Sequence, residues 1–268
     1  MNNPTPQRAS APMSIYYLAT GKEEEVFRQA WTCRLPLMVK GPTGCGKTRF
    51  IEHMAESLGL PLITVACNED TSATDLLKRH LLIGDETRWV DGPVTRAVRQ
   101  GAVLYLDEIA EARPDALVVI HSLTDHRREL FLDRTGEVVR APDSFLLVVS
   151  YNPGYQRSLR EMKPSTRQRF LALDFGYPAE EPETEIVAHE TGVERTVAKR
   201  LVQIGRKVRQ LTELSVVESV STRLLVSAGK LIRAGVPPRL ACGAAIAEPL
   251  TDDADARAAI RHVIELTL

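Results

Sequence analysis

A chain of 268 residues has room for one full α/β domain and a smaller second one. Its 34 lysines and arginines balance 35 acids, for a net charge of −1. That balance provides no overall field for nucleic acid and excludes that partner class. The four cysteines, Cys33, Cys45, Cys67 and Cys242, lack disulfide or metal spacing, the N-terminus is polar, and no apolar run approaches membrane-spanning length; this implies the reducing cytoplasm, without export or a membrane span.

Residues 1–14, beginning Met1-Asn2-Asn3-Pro4, read as a disordered tail, and residues 35–40 as the first buried strand. Gly41, Pro42, Thr43, Gly44, Cys45, Gly46, Lys47 and Thr48 follow it and fit G-x-x-x-x-G-K-[ST] at every fixed position. A helix with Phe50, Ile51, Met54 and Ala55 on one face comes next, which is the strand, loop and helix setting that this phosphate-binding motif requires. Its backbone N–H groups would cradle the phosphates of ATP, Lys47 would reach the β and γ phosphates, and the Thr48 hydroxyl would ligate Mg²⁺. Cys45, at the start of that helix, is expected to have a lowered thiol pKa, with a buried and inert thiol as the other reading.

A second strand covers 61–67, and a hairpin with arms Leu81–Ile83 and Thr87–Val90 turns at Gly84-Asp85-Glu86. The third strand, 102–107, is continuously apolar, as a central parallel strand should be, and delivers Asp107 and Glu108 at its carboxyl end. Asp107 is placed to hold Mg²⁺ and Glu108 to polarise the water that attacks the γ-phosphate. Phe131–Asp133 and Glu137–Arg140 predict another hairpin. The fourth and fifth strands are 145–151, closed by Asn152, and 170–174. Strands alternating with helices imply an α/β fold with a five-stranded parallel sheet, over residues 15–178. The acidic, proline-containing stretch from Pro178 to Glu185 reads as a linker into a helical lid over 179–268, with helices at 186–190, 193–211, 222–234 and 238–246.

These motifs together resemble an AAA+ ATPase. The further set Val65–Asp70, Trp89–Pro93, Thr124–Arg128 and Ser150–Tyr155 is similar to the CbbQ/NorQ/GvpN family of the MoxR group, and most like its CbbQ kind, over nearly the whole chain after the tail. The resemblance implies that Asn152 orients the attacking water. It implies that Arg169, with Arg167 as the second choice, reaches the nucleotide of a neighbouring subunit in a homo-oligomeric ring, a hexamer. Arg223, at the head of a lid helix, would touch the phosphates within its own subunit. The family also implies a remodelling activity: a von Willebrand factor A domain adaptor of the CbbO kind, Rubisco as client, and release of inhibitory sugar phosphates. The alternatives are a NorQ-like chaperone for nitric oxide reductase maturation and a nucleotide-switched scaffold with little turnover. Trp89 is the expected point of client contact.

Overall fold

Among the described residues nine strands form in chain order: β1 (Leu37–Lys40), β2 (Leu62–Ala66), β3 (Lys78–Ile83), β4 (Glu86–Asp91), β5 (Val103–Asp107), β6 (Glu129–Leu132), β7 (Glu137–Arg140), β8 (Leu146–Tyr151) and β9 (Leu171–Asp174). They belong to a computed structural model that describes residues 15–83, 86–133, 135–153, 162–211 and 219–268. The tail read over 1–14, the Gly84-Asp85 turn, Arg134 and the Gly154-Tyr155 end of the last family motif lie outside the described residues.

Five of the strands make one parallel sheet in the order β2-β5-β8-β1-β9. Side chains alternate between its faces. Leu37, Val39, Val103, Tyr105, Leu146 and Val148 join a core with Phe27, Phe50, Ile51 and Met54 of the helices Glu23–Thr32 and Lys47–Leu58. Met38, Leu104, Leu106, Leu147 and Val149 face the other way, onto Val94, Val98, Ala116 and Ile120 of Pro93–Gln100 and Pro114–His121. Burial on both faces is why these strands are uninterrupted apolar runs.

Two antiparallel hairpins, β3–β4 and β6–β7, stand apart from this sheet. Arg99 joins them. Its Nε donates to Asp91 at the end of β4 at 2.9 Å, and its Nη2 donates to both carboxylate oxygens of Glu137 at the start of β7, at 2.6 and 2.7 Å. Lys78 adds contacts to the same two acids, at 3.7 and 3.5 Å. The hairpins also carry exposed apolar side chains: Trp89 is 41% exposed, and Phe131 and Val138, opposite one another in the β6–β7 register, are 43% and 52% exposed.

The C-terminal part is helical, with Glu180–Thr191, Arg195–Arg209, Thr222–Arg233, Pro238–Cys242 and Ala254–Thr267 around a core of Val187, Leu201, Val202, Leu225, Ile246 and Ile260. The linker expected at Pro178–Glu185 is instead largely the first turn of Glu180–Thr191. Proline is tolerated there because the N–H it removes has no helical acceptor, and Glu180, Glu181 and Glu183 favour the positive end of the helix dipole. Glu183 is in fact wholly buried. It accepts paired bonds from Arg209 at 2.8 and 2.7 Å and one from Thr222 Oγ1 at 2.7 Å, while Arg209 Nε donates to the Val220 carbonyl at 2.7 Å. Removing one member of such a pair leaves a buried charge uncompensated. Arg209→Met is therefore expected to destabilise the protein by about 3 to 5 kcal/mol, read as a shift of the urea unfolding midpoint. An unchanged midpoint would assign the stability of this part to its apolar core alone.

Candidate active site

Parallel strands end on the same side, and that edge collects the sequence motifs: Gly41 follows β1, Asp107 ends β5 and Asn152 follows β8. A cleft of about 1070 Å³ opens there, lined by Thr43 to Thr48, Asp107, Glu108, Asn152 and Arg223. All three glycines of the loop have positive φ, and two of them are also hemmed in by neighbours. Gly41 has φ 151°, and a Cβ on it would strike the Phe175 carbonyl; Gly44 has φ 69°, and its Cβ would come within 2.6 Å of Ser221 Cβ on the helical part. The loop is further tied to that part by Tyr177, whose hydroxyl donates to the Thr43 carbonyl at 3.1 Å while Arg209 lies 4.1 Å from the centre of its ring.

Lys47 is largely buried, and its ammonium donates to the carbonyls of Gly41 and Pro42, each at 2.8 Å, and to Asn152 Oδ1 at 2.7 Å. Burial lowers its pKa, opposed by the carboxylates of Asp107 and Glu108. Asn152 in turn donates from Nδ2 to Glu108 Oε1 at 3.1 Å, so one amide spans the phosphate-loop lysine and the strand-end acid. Glu108 itself has a left-handed backbone, φ 54°, held by its N–H donating to Ser150 Oγ at 2.7 Å. A non-glycine residue in that region costs about 1 to 3 kcal/mol, and such strain concentrates at functional sites. It swings Glu108 out of the strand's alternation and exposes it to the cleft beside Asp107.

Asp107 Oδ1 accepts from Tyr105 OH at 2.7 Å and from Ser150 Oγ at 2.5 Å, and Tyr105 OH lies 3.4 Å from Thr48 Oγ1. Burial raises the Tyr105 phenol pKa well above its ordinary value, so it stays a donor. Tyr105 is named by no motif, and Ser150 opens the Ser150–Tyr155 family motif without a role assigned to it. The available signal is strand alternation, which puts Tyr105 two residues before Asp107 on the same face. The segment Tyr16, Tyr17 and Leu18 and the residues Leu173, Ile186 and Val226 also line the cleft without any motif to announce them, and Tyr16 stacks on His189 of the helical part at 3.6 Å.

The expected lowering of the Cys45 pKa is overturned. The side chain is only 8% exposed, and burial pushes the thiol up, outweighing the opposite pull of Lys47 and of the backbone N–H groups. Desolvation penalises the thiolate more than the helix N-terminus stabilises it, so Cys45 fits the inert reading.

Arg223 lies beside the loop, with its Cβ 3.3 Å from where a Cβ on Gly44 would be. Arg167 and Arg169 lie elsewhere. Both are exposed on or just after the short helix Pro164–Arg167, outside the cleft lining, and neither side chain makes a hydrogen bond or ion pair among the described residues. Arg169 is near His121, whose pKa is lowered by burial and then by that guanidinium.

The AAA domain (dynein-related subfamily) matches residues 36–170, and the CbbQ/NirQ/NorQ C-terminal domain matches residues 183–267. The denitrification regulatory protein NirQ of Pseudomonas aeruginosa is 56% identical, over 94% of this chain and 96% of that one. Protein CbbQ of Hydrogenophilus thermoluteolus is 57% identical over 92% of each. The chain belongs to the CbbQ/NirQ/NorQ family of AAA+ ATPases. Its fold also matches that of a point mutant of Thermotoga maritima RuvB with a TM-score of 0.56 at 14% identity, covering 90% of this chain and 68% of that one. This member of the family is thus a P-loop ATPase, and no helix among the described residues is long and apolar enough to cross a membrane.

Proposed function

We propose that this ATPase works as a homo-oligomeric ring, a hexamer, that converts ATP hydrolysis into remodelling of Rubisco, releasing inhibitory sugar phosphates together with a von Willebrand factor A domain adaptor. In this reading the loop from Gly41 to Thr48 binds the phosphates, and Glu108, held by Asn152, orients the attacking water. Arg223 contacts the phosphates in its own subunit and Arg169 those of its neighbour. The hydroxyl of Thr48 and the carboxylate of Asp107 are hard oxygen donors facing one cleft, which suits Mg²⁺. When bound, that ion neutralises charge on the β and γ phosphates. The apolar lining at Leu18, Leu173, Ile186 and Val226 suits the adenine ring.

The observation that carries the remodelling reading is the pair of hairpins with Trp89, Phe131 and Val138 exposed, bridged by Arg99 on an ATPase core. Such loops give hydrolysis something to move. A net charge of −1 supplies no long-range capture of a partner, which supports a separate adaptor for recruitment. The likeness to CbbQ supports Rubisco as the client.

A second reading, maturation of nitric oxide reductase, is favoured by the 56% identity to NirQ, a denitrification regulatory protein. One experiment separates the two. The protein alone should fail to reactivate Rubisco inhibited by a tight-binding sugar phosphate, and addition of the adaptor with ATP should restore carboxylation. Failure of the pair on its cognate Rubisco, with success in maturing nitric oxide reductase, would transfer the assignment to the second client.

A further inference from the structure

Between the phosphate loop and the strand-end acids runs a chain of hydrogen bonds whose protons all point toward one atom, Oδ1 of Asp107. A carboxylate has no proton to give, so Tyr105 OH, at 2.7 Å, and Ser150 Oγ, at 2.5 Å, must both donate to it. Each hydroxyl has one proton. The Tyr105 oxygen, its proton committed, can only accept from Thr48 Oγ1, 3.4 Å away, and Ser150 Oγ accepts the Glu108 N–H at 2.7 Å. Tyr105 and Ser150 are wholly buried, so water does not compete for these bonds.

Two consequences follow for the cleft. The Thr48 proton is drawn back toward the core, which leaves the lone pairs of its oxygen for a cation. Asp107 Oδ2 makes no hydrogen bond among the described residues, while Oδ1 is fixed by two donors, so the carboxylate presents one oxygen in one orientation. Among the described residues, the phenol is the one side chain hydrogen-bonded to both Thr48 and Asp107, which stand on different elements of the fold.

We propose that Tyr105 is a positioning residue for a divalent cation: its hydroxyl sets the proton direction of Thr48 and the orientation of Asp107, and so tunes the affinity of the pair for a hard metal ion. This rests on the reading that Thr48 and Asp107 hold Mg²⁺. Groups that orient metal ligands from behind are commonly worth about 10- to 100-fold in metal affinity. The ring of Tyr105 belongs to the apolar core with Phe50 and Val103, so Tyr105→Phe removes the hydroxyl and keeps the packing.

The test is a Mn²⁺ titration of the protein with a non-hydrolysable ATP analogue, free Mn²⁺ being read by electron paramagnetic resonance, beside ATP binding measured in EDTA. Tyr105→Phe should weaken Mn²⁺ binding about 10-fold or more and leave metal-free ATP binding unchanged. Asp107→Asn and Thr48→Ala are the reference variants. If they weaken Mn²⁺ binding and Tyr105→Phe does not, the proposal is overturned and the metal reading stands. If neither reference variant changes Mn²⁺ binding, the metal reading falls and takes the proposal with it. Equal losses for Tyr105→Phe with and without metal would make the residue merely structural, and would also overturn the proposal.

Discussion

Glu108→Gln should lower steady-state ATP turnover by about 10²- to 10⁴-fold, the range that a positioned general base supplies, while ATP still binds. The substitution keeps the size of the side chain and an oxygen that can accept from Asn152, as Glu108 Oε1 does at 3.1 Å. It removes only the charge and basicity. The phosphate loop, Lys47 and Asp107 are left as they are, so nucleotide affinity should hold and the ATP-bound ring should accumulate. In the Rubisco assay, the same variant should leave the complex with its adaptor assembled and abolish reactivation. The measurement is turnover beside equilibrium ATP binding on one preparation. Turnover close to that of the unaltered protein would remove Glu108 from its role.

Arg169→Ala should be equally severe, because an arginine supplied across an interface is worth roughly 10³ to 10⁵ in rate where it has been measured in GTPases. The side chain is exposed, outside the cleft of its own subunit, and engaged by no hydrogen bond or ion pair among the described residues. A guanidinium held in this way can serve a neighbour. Lys47→Ala, in contrast, should abolish ATP binding in its own subunit. Mixed rings of the two variants would then contain interfaces that pair an intact loop with an intact arginine, and activity should partly return. If mass measurement confirms mixed rings and the mixture stays as inactive as its components, the trans assignment fails, and Arg167 becomes the residue to test.

What could be read without coordinates was whatever depends on local pattern. The inner strands β1, β5 and β8 are apolar runs because both their faces are buried, and parallel strands bring their carboxyl ends together, so Gly41, Asp107 and Asn152 were legible as neighbours. Properties set by packing were not. The thiol of Cys45 is governed by burial in the assembled fold and not by the helix start on which it stands. The acids after Pro178 look like a solvated linker until Arg209, which is distant in sequence, is found sharing Glu183 with Thr222. Tyr105 reads as one more apolar strand residue; its function lies in the last atom of the side chain, which meets Thr48 and Asp107 only once strand and loop have been set side by side.

The Arg99 fork ties the base of the β3–β4 hairpin, at Asp91, to the turn end of the β6–β7 hairpin, at Glu137, and the two hairpins share no strand pairing. Because Asp91 and Glu137 share that guanidinium, and Lys78 reaches both acids as well, displacing the β6–β7 turn from the base of β3–β4 would separate opposite charges on two cations at once. The Arg99 side of the joint is partly open to solvent and screened by salt, while Lys78 is sheltered. Among the described residues, then, the two hairpins are coupled by side-chain charge and not by a common sheet.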